Sequence, residues 1–118
     1  MYYQPSLEDI RLILNRIDKI PRPYGDNEGD PINSASVYPH LSWENQKIVA
    51  DALDLLHKYT RMGEGANSRS ITYLRKSGYE AALNADQYDP YRLVGYVRTE
   101  NWIIDISDAA SESEDAWY

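Results

Sequence analysis

The sequence predicts an α+β domain, with helices first and a small antiparallel sheet after them. Apolar residues recur at helical spacing in two early stretches, "SLEDIRLILNRIDKI" and "LSWENQKIVADALDLLHKYTRMG". Residues 91–107, "YRLVGYVRTENWIIDIS", are instead rich in Val, Ile, Tyr and Trp and are interrupted by "TEN", the mark of a hairpin. The chain has 118 residues and no linker-like stretch between two cores, so one domain, 1–118, is expected. A domain of that size buries roughly two-thirds of the surface its unfolded chain exposes, enough for a core without staples.

In the first helix, expected over 7–19, Leu7, Ile10, Leu14 and Ile17 share a face that Ile13 and Ile20 widen. Ser6 is placed to cap it, Asp9 completes a variant capping box, and Pro5 and Pro21 bracket the segment. Residues 21–41 hold four Pro, two Gly and no periodicity, which reads as a long loop, functional or mobile. Its acids Asp26, Glu28 and Asp30 do not make a calcium loop. Counting from Asp26, the sixth position is Pro31 rather than Gly and the twelfth is Val37 rather than Glu.

Ser42 caps the second helix, whose stripe is Ile48, Val49, Ala52, Leu55, Leu56 and Tyr59. Arg61 suits its C-terminal dipole and Gly63 a left-handed stop. The outer side carries Glu44, Lys47, Asp51, Asp54 and Lys58, with Asp54 and Lys58 spaced as an i,i+4 pair. "ANSRSITYLRKSG" reads as a short helix ending at Gly78, although "SITYLRK" also alternates like a strand. "YEAALNADQYDP" reads as a short strand and then a turn, because Asp89 precedes Pro90. The hairpin strands are expected at 91–98 and 102–107, joined by a three-residue connection. Leu93 and Val97 share one face, where the Leu55-bearing stripe of the second helix is expected to pack.

Composition then narrows the function. Without cysteine there is no disulfide, thiolate metal site or Cys nucleophile, and a reducing cytoplasm is expected. The N-terminus lacks the basic and apolar regions of a secretory signal, and no apolar run approaches the ~20 residues that span a bilayer. Nineteen acids against twelve bases give a net charge of −7. That disfavours direct binding to nucleic acid or to an anionic membrane, and favours a basic protein partner or simple solubility. Eleven Tyr, three Trp and no Phe add polar-handled aromatics suited to half-wet surfaces.

No catalytic constellation appears. His40 and His57 are the only histidines, and an Asp54–His57 pair lacks a third metal ligand. There is no G-x-S-x-G, no H-E-x-x-H and no phosphate loop, since "GEGANS" lacks the required Lys. No catalytic residue, metal or cofactor is expected.

The acids are more informative. Residues 61–76 hold Arg61, Arg69, Arg75 and Lys76 against Glu64 alone. From Glu80 to Asp89 there are three acids and no base, and from residue 99 onward six acids and no base. Blocks of one sign tend to become patches. The candidate partner-binding acids are Asp26, Glu28, Asp30, Glu44, Asp51, Asp54, Asp86, Asp89, Glu100, Asp105, Asp108, Glu112, Glu114 and Asp115. A duplex about 35 Å long shows about 20 charges. A net charge of −7 therefore cannot imitate it globally, and only a segregated face could.

With these blocks and the closing "DQYDPYRLVGYVRTENWIIDIS", the chain resembles the small monomeric DNA-mimic proteins of Neisseria that bind the histone-like protein HU. The resemblance lies in size, acidity and α+β pattern along the whole chain. It implies a monomer without catalytic activity whose carboxylates occupy the DNA-binding surface of a basic protein such as HU and displace DNA. Two other readings stay open. One is an immunity protein covering the basic cleft of a nuclease toxin, and the other a small hydrolase in which His40 or His57 meets a carboxylate and a hydroxyl. The acidic segment 107–118 is either a solvated tail or an edge pinned by Trp117 and Tyr118 beside Tyr2, Tyr3 or Trp43.

Overall fold

Ser6 and Asp9 start the first helix as a reciprocal box. The Asp9 N–H donates to Ser6 Oγ at 3.1 Å, and the Ser6 N–H donates to Asp9 Oδ2 at 3.0 Å. The structure, a computed structural model, describes residues 5–23, 28–60, 68–85, 88 and 93–107, with the side chains of 68–70, 85 and 93 set aside. The elements are α1 (Leu7–Asp18), a 3₁₀ turn (Tyr38–His40), α2 (Trp43–Thr60), α3 (Ser68–Lys76), β1 (Glu80–Ala85), β2 (Leu93–Arg98) and β3 (Ile103–Asp105). This is the α+β architecture expected.

The helix reading of 68–76 holds over the strand alternative, and its end shows why. The Gly78 N–H bonds the Arg75 carbonyl and the Tyr79 N–H the Leu74 carbonyl, both at 3.0 Å, with Gly78 at φ +98°. That is a Schellman stop, and it needs a residue without a side chain at the left-handed position. Ser42 caps α2 through the Asn45 N–H at 3.2 Å, whereas Arg61 and Gly63 lie outside the described residues.

The sheet is antiparallel in the order β1-β2-β3. Gly95 of β2 faces Leu83 of β1, and a Cβ there would collide with the Ala82 carbonyl oxygen and lie 2.9 Å from Leu83 Cα. Only glycine fits that approach. The hairpin connection is shorter than the expected three residues. Arg98 pairs with Ile103, so Thr99 faces Trp102 and the turn is Glu100–Asn101. The Thr99 N–H donates to the Trp102 carbonyl at 2.8 Å, but the Trp102 N–H goes to Thr99 Oγ1 at 3.0 Å. The hydroxyl replaces a backbone acceptor, which is why β3 begins at Ile103 and not at 102.

The segment 28–41 is not a mere connection. Ile32 and Val37 are fully buried, Leu41 nearly so, and the Ile32 N–H donates to the Ile103 carbonyl at 2.8 Å. Next to it, Asn33 grips Asp105 twice. Its Nδ2 donates to the Asp105 carbonyl at 2.8 Å and its Oδ1 accepts the Asp105 N–H at 3.0 Å. One side chain thus supplies the donor and acceptor that a fourth strand would bring, and the outer border of β3 is sealed.

One core joins the layers: Ile10, Leu14 and Ile17 from α1, Val49, Ala52 and Leu56 from α2, Leu74 from α3, and Val97, Trp102, Ile104 and Ile106 from the hairpin. The second-helix stripe is rotated from its expected centre, because Leu56 is fully buried while Leu55 is only partly so. The main backbone neighbour of α2 is α1, followed by α3, and the helix nearest the sheet is α3, against β1. Val97 faces the core as expected, whereas the Leu93 side chain is outside the described set. No described helix is long and apolar enough to cross a membrane.

Candidate acidic binding groove

Where α1 ends, the chain is clasped to the hairpin turn. The Asp18 carboxylate accepts the Asn101 N–H at 2.7 Å, and Asn101 Nδ2 donates back to the Asp18 carbonyl at 3.1 Å. The Trp102 indole N–H donates to the Ile20 carbonyl at 2.8 Å. Arg22 donates to the Asn101 carbonyl at 2.7 Å with its guanidinium 4.1 Å from the Trp102 ring centroid. One carbonyl that the helix leaves open at its C-terminus, that of Asp18, is thus satisfied by a residue some eighty positions away, whereas those of Arg16 and Ile17 are met locally by the Lys19 and Ile20 N–H groups.

An acid at the last position of a helix opposes the helix dipole, which disfavours negative charge there by a few tenths of a kcal/mol or more. The Asn101 N–H compensates part of that cost and fixes where the Asp18 carboxylate stands. Beside it opens a groove of about 400 Å³ lined by Leu14, Asn15, Asp18, Gly78, Tyr79, Glu80, Arg98, Thr99 and Glu100. Glu80 enters at the start of β1, directly after the Gly78 turn, and Glu100 stands at the hairpin tip. Three carboxylates against the Arg98 guanidinium give the described lining two net negative charges.

Glu80 is the partly committed member. Its Oε2 lies 3.5 Å from Arg98 Nε and its Oε1 accepts the Tyr96 hydroxyl at 2.8 Å. That hydrogen bond, foremost, raises the Tyr96 phenol above its usual pKa, so it stays a donor well into alkaline solution. Glu100 is exposed and has neither hydrogen bond nor ion pair among the described residues. Among these residues, no three His, Asp or Glu side chains converge to hold a metal ion. The chemistry offered is recognition of a positive charge.

The sequence-nominated acids are distributed unevenly. Asp26, Asp86, Asp89, Asp108, Glu112, Glu114 and Asp115 lie outside the described residues, as do Tyr2, Tyr3, Trp117 and Tyr118. Asp51 is paired with Lys47 at 3.6 Å and Asp54 with Lys58 at 2.9 Å, so the α2 surface is largely self-neutralised. Asp30 accepts the Ser36 hydroxyl, and Asp105 accepts the Ser107 N–H at 2.9 Å. Glu28 and Glu44 are exposed and, like Glu100, unpaired among the described residues. Glu100 and Asp105 do not share a surface, for Asp105 lines a different groove on the outer face of the sheet. Asp18 and Glu80 were not nominated, yet they join Glu100. The signal for Glu80 was its place opposite Arg98, which only the strand register supplies.

The chain matches no family model, no curated protein and no solved structure.

Proposed function

We propose that this protein is an acidic binding protein, not an enzyme. It engages the DNA-binding surface of a basic cytoplasmic protein such as HU and competes with DNA there, itself remaining a monomer. One observation carries the reading: Asp18, Glu80 and Glu100, brought from three elements into one open groove whose described lining holds one cation, Arg98. Around it, none of the eleven described Asp and Glu residues is buried, so their charge is displayed and not spent in the core.

The long dimension of the molecule, 40 Å, equals that of a short duplex carrying about 24 charges at one per ~1.7 Å. With a net charge of −7, competition relies on local capture of Lys or Arg side chains in the groove and not on a duplex-like field. Titrating HU with the protein, with and without duplex DNA, tests this. Mutually exclusive binding, weakened steeply by salt and by Glu100→Lys, is expected. A ternary complex with DNA still on HU overturns it. A nuclease toxin is the second target with the same electrostatics, and tight toxin binding with none to HU selects the immunity reading.

A further inference from the structure

The two borders of the sheet differ. That of β3 is closed by Ile32 and Asn33, whereas no strand or loop of the described chain pairs with the outer side of β1. The ladder fixes what β1 shows there. Gly95 turns its N–H and carbonyl toward β3, to Ser107 Oγ and the Ile106 N–H. Its antiparallel partner Leu83 therefore turns both of its own groups away from β2. Ala81 has the same parity, and its outward carbonyl is taken by Arg75 Nε at 2.7 Å.

Charge says what fits beside these groups. Arg75 and Lys76 are exposed and neither has an ion pair among the described residues. The nearby carboxylate, Glu80, is already engaged by Arg98 and Tyr96. "EAALNA" contains no Lys, Pro or bulge of the kind that blunts a sheet edge, and among the described residues the Arg75 side chain alone hydrogen-bonds to its outer side.

We propose that β1 is a strand-addition site for an extended acidic segment of a partner protein, distinct from the acidic groove. The segment's main chain pairs with the Leu83 N–H and carbonyl, while one of its carboxylates draws the Arg75 guanidinium off the Ala81 carbonyl. That carbonyl then accepts an N–H from the incoming strand. A second copy of this chain is the poorer occupant, since it brings seven more net negative charges in all and the same Arg75 guanidinium to the edge.

The test uses the ¹⁵N-labelled full chain and a terminally blocked peptide, Glu-Thr-Val-Glu-Val-Thr-Glu, beside its counterpart with Lys for Glu. The acidic peptide is expected to slow hydrogen exchange at the Leu83 amide by about tenfold or more, because only a closed hydrogen bond protects it. The Lys peptide should leave it unchanged. Arg75→Glu should invert the preference, and Leu83→Pro, which removes the outward donor at an edge where Pro is tolerated, should abolish the protection. The peptide swap leaves the protein itself unaltered and so does not depend on how the variants fold. Equal protection by both peptides, protection at other amides only, or a dimer that pairs through β1 without peptide would each overturn the proposal.

Discussion

Single side chains decide where this chain can close. Gly95 is one: any Cβ would press on the backbone of β1, so Gly95→Ala is expected to cost about 1–3 kcal/mol in urea melts, with the slope of the transition unchanged. Asn33 is another. It is nearly buried, and Asn33→Ala leaves both the Asp105 N–H and carbonyl without partners, an expected loss of about 2–3 kcal/mol. Replacement by Asp, which keeps the acceptor and loses the donor, should recover only part of it. Tyr59 gives a pH signature. Burial, with the neighbouring Tyr73 adding to it, raises its phenol above the ordinary value of 10.0. The unfolded chain therefore ionises first. The contribution of Tyr59 is complete below about pH 10 and is lost as the pH rises through its folded value. Thermal melts between about pH 9 and 11 should show a decline that is shallower in Tyr59→Phe.

At the scale of elements, the two long helices were legible because their starts and periods are local. Ser6 with Asp9, and Ser42 with Asn45, act within one turn of sequence. The rotation of the α2 stripe was not legible, since the neighbour against which α2 packs is set by α1 and α3 together. Leu56→Ala should therefore cost about 2–5 kcal/mol, while Leu55→Ala costs clearly less; the reverse order would place the stripe where its periodicity alone suggested. The Pro- and Gly-rich stretch is a loop as read, but its part in the core was not legible, for a related reason. Its composition reports missing periodicity, but Ile32, Val37 and Leu41 join the core, and the Ile32 N–H finds its acceptor on Ile103, 71 residues further on. The candidate groove was invisible for the same cause. Charge blocks follow the sequence, whereas Asp18, Glu80 and Glu100 meet only once the register exists.

Over the whole molecule, the surface charge is local in effect. Removing residues 108–118 deletes four acids, moving the net charge from −7 to −3. Under the proposed function, affinity for HU should then fall most at low salt, where screening over ~10 Å at 0.1 M gives way to longer reach. The clasp between α1 and the hairpin turn has a different kind of reach. Its hydrogen bonds, with those of Asn33, join positions separated by 72 to 83 residues, so the beginning and the end of the fold are tied directly to one another. A growing chain emerging from the ribosome holds α1 and the 28–41 wall long before the hairpin to which both are bonded. Closure of such long loops carries its entropy cost before any reward. Asn33→Ala should accordingly speed unfolding while leaving the refolding rate nearly unchanged, the mark of a contact made late. Nascent chains halted before the hairpin has left the exit tunnel should be cut readily by protease, and those that expose Trp102 should resist it. The fold thus closes only when the hairpin reaches α1 and Asn33, locked like a clasped belt rather than built up turn by turn.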